Sequence, residues 1–351
     1  MSVKIVYILH KTGANSHYVA LDHLLKKNGY ILKFREFSVF SKIFKSVFKL
    51  NFKLFKKQLT NAAFLTGLLF SKNKKIVLGI APFDSKLLTL LRILKNHKIY
   101  YHTSWTCWDQ TFHPKTKNNS QKVLDIWKDF LENKTRHLFC VTEKSKKQLL
   151  ENYLLNDKKI SVVYHALNPQ FSEKINVEKT ENSFIYYGRL LPQKGIAEVL
   201  HFFAEHREAT LTLIGDGDEK NLAEKFATSY PNINYKTHIS EKKTLINILT
   251  KHQYLILNSK KTSKWEELFG LVIIESMSQG VIPVSPSHSG PKEIITEETG
   301  YLFEEGLMEP TLLNILNRKS AIPQMAAQGV QTSKLFLPEN IAERWKAILI
   351  S

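Results

Sequence analysis

The apolar positions of this chain fall into short closed runs that alternate with stretches of helical period. Residues 3 to 10 form a nearly unbroken apolar run that reads as a buried strand. The loop Lys11 to Ser16 follows, and Val19, Leu21, Leu24 and Leu25 then recur at helical spacing until Asn28-Gly29 stops the helix. Strand, loop, helix is how a doubly wound sheet begins. Lys75 to Ile80, Lys98 to His102, His137 to Val141 and Lys159 to Tyr164 have the length and composition of further buried parallel strands. The polar stretch Asn168 to Asn182, which contains Pro169 and has no strong period, reads as a linker. A second series of strand-like runs starts after it: Ser183 to Gly188, Ala209 to Gly215, Asn232 to Tyr235, Tyr254 to Leu257 and Val281 to Val284.

The expected fold class is therefore α/β: two Rossmann-like doubly wound domains, 1–168 and 169–335, facing across a cleft at the carboxyl ends of their strands. The tail, 336–351, contains an amphipathic pattern from about Pro338 to Ile350 and is expected to form one helix that packs back on the first domain.

Phe37 to Leu59 has a different rhythm. Phe40, Phe44, Phe48, Phe52 and Phe55 are spaced by four, four, four and three, with Lys42, Lys45, Lys49, Lys53, Lys56 and Lys57 between them. This pattern predicts an amphipathic helix lying on a membrane surface, with Lys42, Phe44, Lys45, Phe48, Lys49, Phe52, Lys53, Phe55 and Lys56 as contact residues. A Phe stripe packed on the domain core behind a solvated Lys face has the same period. No Asp or Glu occurs from Phe37 to Phe83, so nothing in that stretch offsets an attraction to anionic lipid of about 1 kcal/mol per cation.

Composition sharpens the picture. At 351 residues and 43% apolar content the chain has material for two cores. Its net charge of +18 is unevenly placed: residues 1–175 hold 31 Lys and Arg against 11 Asp and Glu, leaving 19 against 21 for the rest. An anionic partner for the first half follows, either phospholipid, a phosphorylated acceptor or nucleic acid. Nucleic acid is disfavoured as a partner, because only 3 of those 31 basic residues are Arg and no nucleic-acid motif is present. Cys107 and Cys140 are too few for a disulfide framework. No run has the roughly 18 to 20 apolar residues of a spanning helix, and the first strand lacks the flanks of a signal peptide. The expected location is cytoplasmic, peripheral at the inner face of the cell membrane.

Four segments of the second half carry candidate chemistry. Gly188-Arg-Leu-Leu-Pro-Gln-Lys194-Gly195 follows a strand and places two cations on one loop, suited to a diphosphate; solvated basic residues in a turn fit equally. Leu213-Ile-Gly215-Asp-Gly217-Asp218 is a strand and glycine turn, through which backbone approaches a ligand closely, although such turns are common. Its Asp-x-Asp does not amount to a metal site, since two carboxylates in a turn lack the oxygen ligands of a hard cation. Glu267 and Glu275 are eight residues apart around Phe269-Gly270-Leu271, about 80° and 12 Å on a continuous helix, and so cannot share a proton. With Glu267 in a loop and Glu275 on the helix, one suits sugar hydroxyls and the other ribose hydroxyls. Glu275 interrupts the apolar run Leu271-Val-Ile-Ile-Glu275, where a carboxylate needs a partner. The fourth segment, Ile282-Pro-Val to Phe303, continues the strand, loop, helix alternation.

In this order the four segments resemble the retaining GT-B glycosyltransferases of the large family 4, also called glycosyl transferases group 1. The resemblance implies a metal-independent hexosyltransferase with no cofactor, using a UDP- or GDP-sugar as donor and a lipid-linked or cell-surface glycan as acceptor. It implies that Arg189 and Lys194 bind the donor diphosphate, that Glu267 contacts the transferred sugar and Glu275 the ribose, and that Gly215, Phe269, Gly270 and Leu271 belong to the donor site. In the first half the resemblance is looser: of the family's two glycines in the first loop only Gly13 is present, and His102 stands where the family has a histidine near the transferred sugar. Trp105, Trp108 and Asp109 just beyond it suit a sugar acceptor by stacking and hydroxyl contacts, with Asp109 as the acceptor-site candidate; core packing of both Trp side chains fits equally.

Overall fold

The computed structural model describes residues 4–11, 14–48, 50–111, 120–173, 175–262, 265–317 and 322–350. The chain forms two compact units. Unit 1 runs to Ala166 and takes in the C-terminal stretch from Pro338; unit 2 is Leu167–Leu337.

Unit 1 is built on six parallel strands: β1 (Lys4–His10), β2 (Tyr30–Glu36), β3 (Lys75–Gly79), β4 (Lys98–Thr103), β5 (Thr135–Cys140) and β6 (Ile160–Val162), in the order β2-β1-β3-β4-β5-β6. Five of them are the apolar runs of β1, β3, β4, β5 and β6, whose residues Val6, Ile8, Ile76, Val77, Leu78, Tyr100, Tyr101, Leu138, Phe139, Ile160 and Val162 are buried. Burial on both faces is why such strands read as continuous runs. The edge strand β2 is absent from the sequence reading. Its YILKFRE alternates half-buried and exposed positions, and so lacks the continuous apolar signal.

The Phe-rich stretch is two helices, Val39–Phe48 and Phe52–Leu69, where one was expected. Leu50 sits at φ 49° in the break, and the Asn51 side chain accepts a hydrogen bond from the Leu54 amide at 2.9 Å, capping the second helix. The C-terminal stretch is likewise broken into helical turns, Pro338–Ala342, Glu343–Trp345 and Ala347–Ile350. It seats Trp345, which is buried, 4.3 Å from the Phe139 ring, and Lys75 Nζ donates to the carbonyls of Ile348 and Leu349 at its end.

Unit 2 repeats the plan with β7 (Ser183–Arg189), β8 (Thr210–Asp216), β9 (Ile233–Lys236), β10 (Tyr254–Ile256), β11 (Ile282–Pro286) and β12 (Tyr301–Phe303), ordered β12-β11-β10-β7-β8-β9 and parallel throughout. From β7 the chain winds outward through β8 and β9, then returns to the other side of β7 for β10, β11 and β12. Connections leaving the carboxyl ends of β7 and β10 therefore diverge, and this reversal is where doubly wound sheets hold ligands.

Candidate functional site

Three of the four motif segments lie at that reversal in unit 2 or beside it. The loop after β7 carries Arg189 and Lys194, and the loop after β10 carries Glu267. Gly195 binds the two loops together. It is left-handed at φ +63°, and a Cβ there would overlap the carbonyl and side-chain amide of Asn258. Lys194 Nζ lies 2.6 Å from Glu267 Oε2 and 3.4 Å from Ser259 Oγ, 4.4 Å above the Trp265 ring. Both ionic side chains keep some accessibility, 14% for Lys194 and 18% for Glu267.

Arg189 ends β7 with its side chain exposed. Its carbonyl accepts from the Tyr186 hydroxyl at 2.7 Å, and that phenol is held above its ordinary range by burial and the nearby Glu267, with Arg189 opposing. Glu267 lies in a loop and Glu275 in the following helix, Leu271–Ser278. Glu275 is buried and has its partners: the Tyr187 hydroxyl donates at 3.3 Å and Lys242 Nζ is 3.9 Å away. Burial raises its carboxyl above the usual range against the pull of Lys242 and Tyr187.

Gly270, at φ +98°, precedes the helix that Leu271 opens, and no side chain among the described residues caps that helix. Phe269 is buried, with its ring 5.9 Å from Phe336, so it anchors the loop in the core of unit 2 and does not present its ring to a ligand. Gly215 is likewise used by the chain itself: a Cβ there would overlap the Gly188 carbonyl oxygen, and one on Gly217 would overlap that of Leu190. The glycine turn is thus packed on the Arg189 loop, where the sequence reading gave it a ligand to approach. Gly290 allows the fourth segment to touch the Glu267 loop, since its Cβ would overlap the Phe269 backbone. Ser259, Trp265, Tyr186 and Tyr187 were not foreseen, because nothing in their spacing ties them to Lys194 or Glu275.

In unit 1, His102 is the penultimate residue of β4 and lies among buried aromatic groups. Its Nδ1 is 3.1 Å from the Tyr18 hydroxyl, and its ring is 5.2 Å from Trp345 and 6.1 Å from His165. Its Nε2 has no hydrogen-bond partner among the described residues. The His17 and His165 rings lie beside it, tilted by 34° with centroids 4.2 Å apart. Burial, then the charges of neighbouring histidines, holds His102 and His165 well below the ordinary histidine value, so both rings are neutral. Trp105 and Trp108 are buried, the latter against Phe83, Tyr101 and Trp127, so of the two alternatives the structure shows core packing. Asp109 is exposed and accepts from the Thr111 amide and hydroxyl and the Cys107 thiol; these bonds pull its carboxyl down to about 2. Gly13 lies outside the described residues.

The helix pair of unit 1 departs from expectation in charge as well. Glu36, one residue before the acid-free stretch and buried, pairs with Lys42 and Lys57 at 2.7 Å each and accepts from Gln58 at 2.9 Å. Lys42 also donates to the Lys11 carbonyl, and so it is a tether and not a free surface cation. Phe44, Phe48, Leu50 and Phe52 are 66%, 86%, 80% and 81% exposed, so the apolar stripe is not covered by the core. Phe55 is half-buried, Lys53 and Lys56 are exposed, Lys45 lies in the first helix, and Lys49 is outside the described residues. No helix among the described residues is long and apolar enough to cross a membrane.

Residues 168–315 match the family model of the glycosyl transferases group 1. The chain is similar to the O-antigen biosynthesis glycosyltransferase WbnH of Escherichia coli, 22% identical over 275 residues that span 74% of this chain and 72% of the relative. In fold it resembles the lipopolysaccharide outer core galactosyltransferase WaaB (TM-score 0.66, 17% identity, 99% of both chains). It also resembles Anabaena Alr3699/HepE, solved with UDP (TM-score 0.67, 14% identity, 99% of both chains). With two parallel six-stranded sheets the chain has the GT-B fold, and residues 168–315 within it carry the segment that matches the group 1 glycosyl transferases.

Proposed function

We propose that this chain is a retaining, metal-independent hexosyltransferase that moves a sugar from a UDP- or GDP-sugar to a lipid-linked or cell-surface glycan. In this reading it works as a cytoplasmic protein at the inner face of the cell membrane. The observation that carries the donor reading is the placement of Lys194 against Glu267 at the sheet reversal of unit 2. An ammonium has three N–H groups; Glu267 and Ser259 take two, which leaves one for a phosphate oxygen. Arg189 adds a second cation from the same loop, and the uncapped start of helix Leu271–Ser278 adds backbone N–H groups and a positive dipole end. These groups stabilise the nucleotide diphosphate as it departs. Glu267 holds the sugar hydroxyls, Glu275 serves the ribose, and His102 engages a sugar hydroxyl through Nε2, the ring nitrogen without a hydrogen-bond partner among the described residues. Support for the acceptor class comes from the similarity to WbnH, named for O-antigen biosynthesis. The exposed Phe44, Phe48, Leu50 and Phe52 support a membrane-surface role, with Lys53 and Lys56 as the attending cations.

The test is a thermal-shift screen of UDP- and GDP-sugars, followed by NMR of the product anomer with the sugar that stabilises the chain. A stabilising nucleotide sugar and a retained anomer are expected. Absence of stabilisation by every nucleotide sugar would end the donor assignment.

A further inference from the structure

His288, in the segment after β11, connects the loop that carries Glu267 to the segment after β12. The Glu267 backbone N–H donates to His288 Nδ1 at 3.2 Å, and His288 Nε2 lies 2.7 Å from Glu305 Oε1. Because Nδ1 accepts, the ring proton is on Nε2 and is donated to Glu305. The same Glu305 oxygen accepts from the Lys261 amide at 2.9 Å. One carboxylate thus fixes the Glu267 loop at two points, directly at Lys261 and through the imidazole at Glu267. Ser289 Oγ, donating to Glu266 Oε1 at 2.9 Å, and the Gly290 amide, donating to the Glu267 carbonyl at 3.2 Å, close the same contact. The His288 side chain is only 5% exposed, whereas that of Glu305 is 41% exposed.

We infer that His288 and Glu305 are positioning residues of the transferase site: they fix the backbone of Glu267 so that its carboxylate meets Lys194. The inference rests on the donor-site reading above and adds two residues to it. A carboxylate that must meet both an ammonium and a sugar loses rate steeply when its backbone shifts, because a misplacement of about 1 Å costs on the order of a hundredfold. His288 touches neither the sugar nor the diphosphate in this scheme, so its loss acts on turnover more than on nucleotide binding.

The experiment compares His288→Ala, His288→Asn and Glu305→Gln with the wild-type chain in steady-state transfer, using the nucleotide sugar that stabilises the protein. Alongside it, the ring tautomer and the Glu267 amide resonance are read by NMR on isotope-labelled protein without ligand. His288→Ala is expected to lower kcat about ten- to hundredfold with KM for the donor changed little. His288→Asn, whose side-chain oxygen accepts near the Nδ1 position, is expected to restore most of that loss at the same melting temperature as the Ala variant. Glu305→Gln keeps an acceptor and is expected to lose less than His288→Ala. The wild-type ring is expected as the Nε2–H tautomer, and the Glu267 amide is expected to shift in His288→Ala. An Nδ1–H tautomer, an unmoved Glu267 amide, or equal kcat in wild type and His288→Ala overturns the inference. If the wild-type chain transfers no sugar at all, the donor-site reading fails, while the tautomer and the amide still decide whether His288 holds Glu267.

Discussion

Lys194 Nζ stands 2.6 Å from Glu267 Oε2, joining two loops whose residues are 73 positions apart in the chain. The pair sits where β7 and β10 send their connections in opposite directions, and it keeps the ammonium beside a carboxylate while leaving it partly accessible. Replacing Lys194 or Arg189 by Ala is expected to lower turnover about a hundredfold or more, the range seen when a transition-state charge contact is lost. Circular dichroism should show both variants folded. Turnover equal to wild type in both would remove the mechanistic assignment.

Glu36 is the buried anchor of the helix pair. Burial raises its carboxyl, and the bonds from Lys42, Lys57 and Gln58 outweigh that and bring it down to about 2. Since the folded value lies below the unfolded one, the stability Glu36 supplies is complete above the unfolded carboxylate value and is lost as pH falls towards about 2. Glu36→Gln is expected to cost about 1.5–3 kcal/mol at pH 7, the worth of hydrogen bonds to a charged group. Urea unfolding of both proteins from pH 7 to pH 2 should show the difference closing at the acid end.

His17, His102 and His165 have folded values below the ordinary 6.5, caused by burial, with neighbouring histidine charges adding to it for His102 and His165. Below pH 6.5 the unfolded chain therefore binds more protons than the folded one, and stability declines as the solution is acidified. The expected decline is on the order of 1 kcal/mol per pH unit for each ring that stays neutral. Thermal unfolding from pH 8 to pH 5 checks the sign, and His165→Asn should flatten the slope. A pH-independent melting temperature in the wild-type chain contradicts the neutral cluster.

The exposed residues at the turn of the helix pair give a surface prediction. Phe44→Asp with Phe48→Asp and Phe52→Asp is expected to abolish flotation with vesicles rich in anionic lipid, because three apolar anchors are replaced by repelled charges. The melting temperature should hardly move, since those side chains are not in the core. Equal flotation of the variant and wild type would show that the surface serves something other than lipid.

Gly215 tests the packing of the glycine turn. A methyl group there meets the Gly188 carbonyl oxygen, so Gly215→Ala forces β7 and β8 apart at their carboxyl ends. Overpacking of this kind costs about 1–3 kcal/mol or more. Differential scanning calorimetry should show a lowered melting temperature even in the absence of any nucleotide. A variant as stable as wild type, but weak in nucleotide binding, would instead return Gly215 to the ligand.

What the sequence determined by itself was the alternation of strand and helix and the ordered motifs of unit 2. Strands buried on both faces leave unbroken apolar runs, and Arg189, Lys194, Glu267 and Glu275 are recognisable by their local neighbours. Strand β2 escaped because an edge strand with one wetted face carries no such run. The break before Asn51 escaped because the Phe period continues across it, although the capping Asn was in plain sight. Only the tertiary structure decided which charges meet. Glu36 neutralises Lys42 and Lys57 from outside the acid-free stretch, Lys194 finds Glu267, and His288 reaches from Glu305 to the Glu267 amide. The physical reason is one of range: periodicity is set by neighbours three or four residues away, whereas an ion pair is set by the fold that brings distant loops to the same sheet edge.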